Sequence, residues 1–356
     1  QLKTNDSGYA FNIPVGSSGG NPSGGNGIVE STFAAPVLSW EIEKKFNVGV
    51  DLGFFDNRID ITADYFFNRR EDILIQRKIV PKTLGFRVNP WQNFGIVDNK
   101  GLDGSLTLNH QFGDLKVSAR GNITYVRNEI VEYDEVPSKY NYQNYTGQSI
   151  GQPYCYIAEG LYTPDDFTTT TTSTEGYLYE LKADVPKPAA NVAPGDIKYK
   201  DLNGDGLINE YDMTYENGLN STNPELVYGF GLNLEYKGFF AGIFFQGVGK
   251  TTVNLMSNSN YFMPFIRGVE GGSARMEALS HWSADNPYNQ DVLYPRIHAA
   301  KFDHNIEKST WWYRDGSFLR LKNVEFGYEF SKDMIKKMRM TNLRLYVQGT
   351  NLAVWD

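Results

Sequence analysis

From Trp40 to Leu352 the chain alternates apolar and polar residues in long runs, with tight turns at one end of the runs and very long connections at the other. Phe46, Val48, Val50, Leu52 and Phe54 oppose Asn47, Gly49, Asp51 and Gly53; after a turn at Asp56-Asn57, Ile59, Ile61, Ala63, Tyr65 and Phe67 oppose Arg58, Asp60, Thr62, Asp64 and Asn68. A second pair sets Leu102, Leu106 and Leu108 against Asp103, Ser105, Thr107 and Asn109, turns at Phe112-Gly113-Asp114, and returns with Leu115, Val117, Ala119, Gly121, Ile123 and Tyr125 opposite Lys116, Ser118, Arg120, Asn122 and Thr124. A third pair, Leu226 to Tyr236 and Phe239 to Phe245, meets at Lys237-Gly238. The last, Phe318 to Phe330 and Leu343 to Leu352, is joined by the basic connector Ser331 to Met340. Period two is the signature of a strand with two different faces.

The spacing of these pairs restricts the fold further. Connections of roughly twenty residues around Pro81, Pro90 and Trp91, then Tyr133 to Asn223, then Lys250 to Trp312 alternate with the tight turns. A soluble sandwich has no reason to place all its long loops at one end. A membrane barrel needs strands of about nine to eleven residues, an apolar lipid face, a polar lumen, short turns on one side and long loops on the other. The chain meets all four conditions, so the expected fold is all-β: a transmembrane antiparallel β-barrel with long extracellular loops, of which about eight strands are counted.

Composition agrees. Tyr, Phe and Gly number 23, 22 and 35, as strands and turns require, and no window is long and apolar enough for a spanning helix. The net charge of -8 and the lack of a dense Lys/Arg cluster argue against a nucleic-acid partner. The lone Cys155 can form no disulfide within the chain and reads as structural. The opening QLKTNDSGYA is no secretory signal, and the expectation is that it begins internally, in a processed product or a piece of a longer chain. Ser17 to Gly27 reads as a flexible Gly/Ser/Asn excursion.

The connection 134–224, read as a long extracellular loop, carries the threonine run Thr168 to Thr172 and a twelve-residue segment, 201–212, with calcium-loop spacing. Asp201, Asn203, Asp205, Asn209 and Asp212 offer side-chain oxygens at positions 1, 3, 5, 9 and 12, Leu207 offers a carbonyl at position 7, and Gly206 takes the sharp turn. The alternative is a solvated Asp/Asn/Gly turn without an ion. Because the flanks are β and loop, an ion here would brace the loop and not act as a switch. Trp282, Tyr288, Trp311 and Trp312 are the candidates for sugar stacking, against packing of the loops or an interfacial aromatic belt. Asp51, Asp60, Asp64 and Arg120 fall on the lumen face, and Asp165-Asp166 are adjacent, which says nothing about a glycosidase separation. His110, His281, His298 and His304 lack metal-ligand spacing, and no nucleophile or phosphate-loop pattern occurs, so no enzyme is expected.

Seven segments in order carry a family resemblance: Leu38 to Glu41 with Lys45 to Arg58, Asn93 to Gly101, Gly195 to Gly206, Asn223 to Phe230, His281 to Pro287, Ser317 to Val324 and Leu343 to Leu352. On these the sequence resembles the C-terminal barrel portion of a SusC/RagA-like TonB-dependent outer-membrane transporter. The resemblance implies a wide plugged barrel, incomplete at both ends over residues 1–356, in the bacterial outer membrane. It further implies active import of an oligomeric nutrient, a glycan before a peptide, together with a SusD-like surface lipoprotein and the TonB complex, the latter engaged by a segment outside this chain. The rival from another class is a secreted calcium-stabilised β-sandwich that binds glycan; a glycoside hydrolase is a weaker third.

Overall fold

The computed structural model describes residues 9–14, 26–30, 38–56, 58–81, 83, 89–173, 176–256, 262–266, 274–336 and 340–356. Most of the Ser17 to Gly27 excursion, Asn57 of the first turn, the side chains of the threonine run from Thr169 onward and residues 337–339 of the basic connector lie outside the described residues.

Eight strands build one sheet: β1 (Ile42–Phe54), β2 (Ile59–Gln76), β3 (Trp91–Phe112), β4 (Leu115–Glu132), β5 (Leu226–Tyr236), β6 (Phe239–Gly249), β7 (Phe318–Glu329) and β8 (Arg344–Trp355). Each pairs antiparallel with its neighbours in sequence, so the sheet is an up-and-down meander whose edges are β1 and β8. Every other sheet among the described residues has two strands, which removes the sandwich rival: no second large sheet faces the first. The register aligns the apolar positions into continuous rows. One row runs Phe54, Ile59, Leu108, Ala119, Leu232, Ile243, Val324 and Gly349 across all eight strands. A slip of one residue in any pairing would turn a whole strand's apolar set to the other face.

The turns that set this register are short. Lys237 and Gly238 both take positive φ, 46° and 91°, the geometry of a two-residue hairpin turn whose twist matches the flanking strands. In β7 a bulge between Leu321 and Asn323 restores the apolar face, because Val324 and Phe326 are one parity and Leu319 and Leu321 the other.

The sheet also explains why glycine occurs so often in the polar rows. Gly101, Gly231 and Gly327 stand directly across from Phe66, Phe244 and Phe240. A Cβ at Gly327 would lie 2.4 Å from the Phe240 ring, and one at Gly101 2.6 Å from the Phe66 ring. Each ring therefore lies flat on a neighbouring strand in place of a side chain, which also accounts for the weak polarity of the β6 inner face at Phe240 and Phe244.

One expectation is corrected here. β2, β3 and β4 run 18, 22 and 18 residues, well past the length needed to cross a membrane. The pairing of β2 with β3 continues through bulges to Gln76↔Trp91, so Trp91 opens a strand and the preceding connection is shorter than the sequence suggests. The outer ends of these strands mix apolar and polar residues, with Ile73, Leu74 and Ile75 in β2 and Phe94, Ile96 and the buried Val97 in β3; Arg69 forks onto Asp98 there at 2.7 and 2.9 Å. The long connection 134–224 is itself folded. It pairs Cys155–Tyr156 with Met213–Thr214, Ala158–Leu161 with Ile197–Tyr199, and Lys187–Pro188 with Leu207–Ile208. Together with residues from the 250–317 connection it forms a packed loop body with its own hydrophobic core.

Candidate functional site

The core of the loop body joins Leu161, Ile197, Tyr199 and Ile208 from the first connection to Met256, Met263, Trp282, Tyr294, Ile306 and Trp312 from the second. A buried ionic knot ties the same two segments. Asp196 is 0% exposed. Arg296 donates to it from Nε at 3.1 Å and from Nη2 at 2.7 Å, His298 Nε2 lies 2.9 Å from Oδ1, Asn305 Nδ2 donates at 2.9 Å and the Ala193 N–H at 2.8 Å. Burial alone would raise this carboxyl's pKa, but the bonds from His298 and Arg296 hold it below the ordinary carboxylate value. Asn305 continues the knot: its Oδ1 accepts the Ile197 N–H at 3.0 Å, and its carbonyl accepts the Trp312 indole N–H at 2.9 Å. Gly195, at φ 91°, lets the chain approach the Trp282 ring so closely that a Cβ would sit 2.2 Å from it. Sequence reasoning misses the knot because Asp196 and Arg296 are 100 residues apart. The available signal was Pro194-Gly195-Asp196, a charge set directly before the alternating Ile197-Lys198-Tyr199.

The four aromatic candidates separate into two pairs. Trp312, 1% exposed, packs with its ring centroid 6.2 Å from that of Phe262 and 6.1 Å from that of Tyr294. Trp282, 9% exposed, donates its indole N–H to the Pro287 carbonyl at 3.0 Å. Both belong to the buried core of the loop body. Trp311 packs partly buried against the rim of the same core, donating its indole N–H to the Leu293 carbonyl at 3.1 Å, and Tyr288 lies exposed. Trp311 borders a cleft of about 440 Å³ that also includes Glu159, Thr163, Asp166, Lys198 and Gln290. In it Lys198 pairs with Asp166 at 2.7 Å, and the Gln290 amide is held by the Leu161 backbone, accepting its N–H at 2.7 Å. Tyr288, 55% exposed, reaches the same side of the body through a hydrogen bond to Asp165 Oδ1 at 3.3 Å. The cleft thus offers one aromatic ring, fixed amide and hydroxyl groups and mixed charge, a set suited to a polar ligand with one apolar face.

The segment 201–212 is a tight chain of side-chain-to-backbone bonds. Asp201 accepts the N–H of Gly204 and Gly206 at 2.7 and 2.8 Å, Asn203 that of Asp205, Asp205 that of Leu207 and Asn209 that of Tyr211, each at 2.9 Å. Gly204 and Gly206 take φ 74° and 79°, so both sharp turns fall on glycine. Asp212 is buried and accepts the N–H of Leu202 and Asn209 at 2.9 and 2.8 Å. Burial pushes its carboxyl up, the neighbouring Asp201 charge adds to the rise, and no basic side chain among the described residues pairs with it. A buried carboxylate without a cation, in a set of hard oxygen donors, fits a calcium ion. Among the described residues no three His, Cys, Asp or Glu side chains already converge as ligands, so the loop would supply amide and carbonyl oxygens as well.

On the inner face of the sheet, Arg120 lies over the Phe244 ring at 5.1 Å and Arg344 over Phe240 at 3.7 Å, while Glu235 pairs with Lys116 at 3.2 Å and Glu325 with Arg344 at 2.5 Å. Asp64 lies across from Gly49, Asp60 from Gly53 and Asp51 from Thr62, all in the same polar rows.

An apolar outer face, a charged inner face and a loop body at one end define the wall of a membrane barrel with its mouth built over it. The chain belongs to the TonB-dependent receptor-like β-barrel family, whose model matches residues 4–352. This is not a family of enzymes, and membership implies the outer membrane. Among curated relatives, TonB-dependent receptor P3 of Formosa agariphila is 28% identical over 345 residues, covering 93% of this chain and 31% of that protein. TonB-dependent receptor SusC of Bacteroides thetaiotaomicron is 24% identical over 322 residues, covering 82% of this chain and 26% of that one. The chain therefore spans about a third or less of the length of these relatives. Among solved structures, the RagAB peptide transporter superposes with a TM-score of 0.66 at 23% identity, over 98% of this chain and 34% of that chain, a likeness of fold.

Proposed function

We propose that the chain forms part of the wall and outer mouth of a TonB-dependent importer of oligomeric nutrients, closed by further strands beyond β1 and β8 and working with a SusD-like surface lipoprotein. One observation carries this reading: the outer rows are continuously apolar across eight strands while the inner rows are charged, and the loop body sits at one end only. A sheet in hydrocarbon cannot leave its edges unpaired, which supports closure. The cleft beside Trp311, with Tyr288 near it, is the substrate-contacting surface, and a glycan is the favoured substrate because a ring face with fixed polar groups suits a sugar. A peptide is the second reading; RagAB is named a peptide transporter, although that likeness speaks for the fold.

The test is uptake of labelled oligosaccharides and oligopeptides by cells making the full-length gene product. Uptake is expected to stop when TonB is deleted. The double variant Trp311→Ala, Tyr288→Ala is expected to weaken apparent affinity about tenfold, or ~1.4 kcal/mol. Uptake that persists without TonB would sink the importer reading; unchanged affinity in the double variant would sink the cleft.

The segment 201–212 is proposed to hold a structural calcium ion through Asp201, Asn203, Asp205, the Leu207 carbonyl, Asn209 and Asp212. Calcium at 100 times its Kd would stabilise the loop body by about 2.7 kcal/mol. Chelation is expected to make this segment sensitive to protease, and Asp212→Asn to abolish the calcium-dependent difference. Calorimetry showing no heat of binding at millimolar calcium would rule the ion out.

A further inference from the structure

The outer face of the sheet ends differently at its two borders. At the short-turn end the last shared row is Phe112, Leu115, Tyr236, Phe239, Tyr328 and Leu345, with no charge in it. At the long-loop end the row Val48, Tyr65, Leu102, Tyr125 and Leu226 is followed at once by Phe46, Phe67, Lys100 and Arg127. Lys100 and Arg127 are direct cross-strand partners on one face, and like charges so placed repel unless an anion lies over them. Lys250 joins them from the turn after β6: its Nζ lies 4.8 Å from the Tyr125 ring centroid and 3.5 Å from the Tyr125 hydroxyl. Among the described residues Lys100 and Lys250 have no ion-pair partner, and Arg127 has one long contact, to Glu225 at 3.8 Å. One row further out the charges balance locally, since Arg69 and Asp98 pair at 2.7 Å; Glu129 stands beside them.

We propose that Lys100, Arg127 and Lys250 bind the phosphate of a phosphorylated outer-leaflet glycolipid, with Tyr125 at the boundary between its chains and its headgroup. The occupant must carry concentrated negative charge and sit where an apolar layer meets water, because the cations stand one row above Leu102, Tyr125 and Leu226. A lipid phosphate satisfies both conditions, whereas a free phosphate satisfies only the first. The long side chains can lay their stems on the apolar rows and lift their charges to the headgroup, and the Arg127 guanidinium supplies a fork matched to phosphate oxygens. The proposal rests on the reading of this face as lipid-facing.

The experiment is native mass spectrometry of the full-length gene product in mild detergent, titrated with phosphorylated lipid A, the same lipid after phosphatase treatment, and inorganic phosphate. Heat-modifiable gel mobility reports barrel folding. The wild type is expected to hold the phosphorylated lipid at least tenfold more strongly than the dephosphorylated form and to bind inorganic phosphate far more weakly. Lys100→Gln with Arg127→Gln and Lys250→Gln should remove the preference, while the inner-face variant Lys116→Gln keeps it. If the triple variant fails to fold, Lys100→Gln alone should still lower the preference at least threefold. The proposal is overturned by equal retention of both lipid forms, by inorganic phosphate binding as tightly as lipid, by an unchanged preference in the folded variants, or by an equal loss in Lys116→Gln. Loss of a co-purifying lipoprotein with lipid retention unchanged would also overturn it, by assigning the cations to a protein contact. Absence of the wild type from the membrane fraction would instead mark failure of the lipid-facing reading itself.

Discussion

Replacing Asp196 with alanine is expected to release the loop body while the eight-stranded sheet stays intact. The carboxylate is the shared acceptor for Arg296, His298, Asn305 and the Ala193 N–H, so its removal leaves the half-buried Arg296 guanidinium and the buried Asn305 amide without their acceptor and frees the two connections from each other. Breaking a buried ion pair by deleting one partner costs about 3–5 kcal/mol. Hydrogen exchange should report this as a loss of protection over Ile197–Tyr199 and 303–313, with β4 to β6 unchanged. The same knot sets a pH dependence. Because the folded pKa of Asp196 is depressed, its contribution is fully present above the ordinary carboxylate value of about 3.9 and is lost as pH falls below that, through the lower folded value. The wild-type loop body should therefore loosen in acid, and Asp196→Ala should remove that step. Equal protection in both proteins at neutral pH would contradict the role assigned to the knot.

Trp312→Ala is expected to be nearly as damaging, at about 3–5 kcal/mol for a fully buried indole, and by a different route. It empties a site bounded by Phe262 and Tyr294 and leaves the Asn305 carbonyl without the indole donor. Tyr288→Ala, at the surface, should leave stability within about 0.5 kcal/mol of the wild type. Thermal unfolding of the loop body separates the two. A Trp312→Ala protein of unchanged stability but weakened substrate uptake would return Trp312 to the ligand surface.

These two residues mark where the sequence stops being legible. The membrane wall can be read directly, since period-two alternation in β5, from Leu226 to Tyr236, survives intact as one apolar and one polar row. The β7 bulge at Leu321 to Asn323 is hidden, because it shifts parity without a glycine or proline to announce it. The outer extensions of β2 and β3 are hidden too: Ile73, Leu74 and Ile75 follow one another without alternation, and bulges between Arg70 and Leu74 shift the parity. The loop body is the least readable part. Its core draws Leu161, Ile197 and Trp312 from distant points of the chain, with no local period to signal their burial. For the same reason Trp311 and Trp312, adjacent in sequence and alike in chemistry, are separated only by packing.

The central claim is that the odd and even faces of this sheet meet different solvents, and spin labels on β5 test it most directly. With the full-length gene product in lipid vesicles, single nitroxides are placed in turn from Leu232 to Glu235, in a Cys155→Ser background. Cys155 itself is buried, its thiol pushed up to about 12. Labels at Leu232 and Leu234 should collide with oxygen dissolved in the bilayer, and labels at Asn233 and Glu235 should not, in strict alternation. Equal oxygen exposure at all four positions, or protection of the apolar row as in a buried core, would contradict the membrane-wall account.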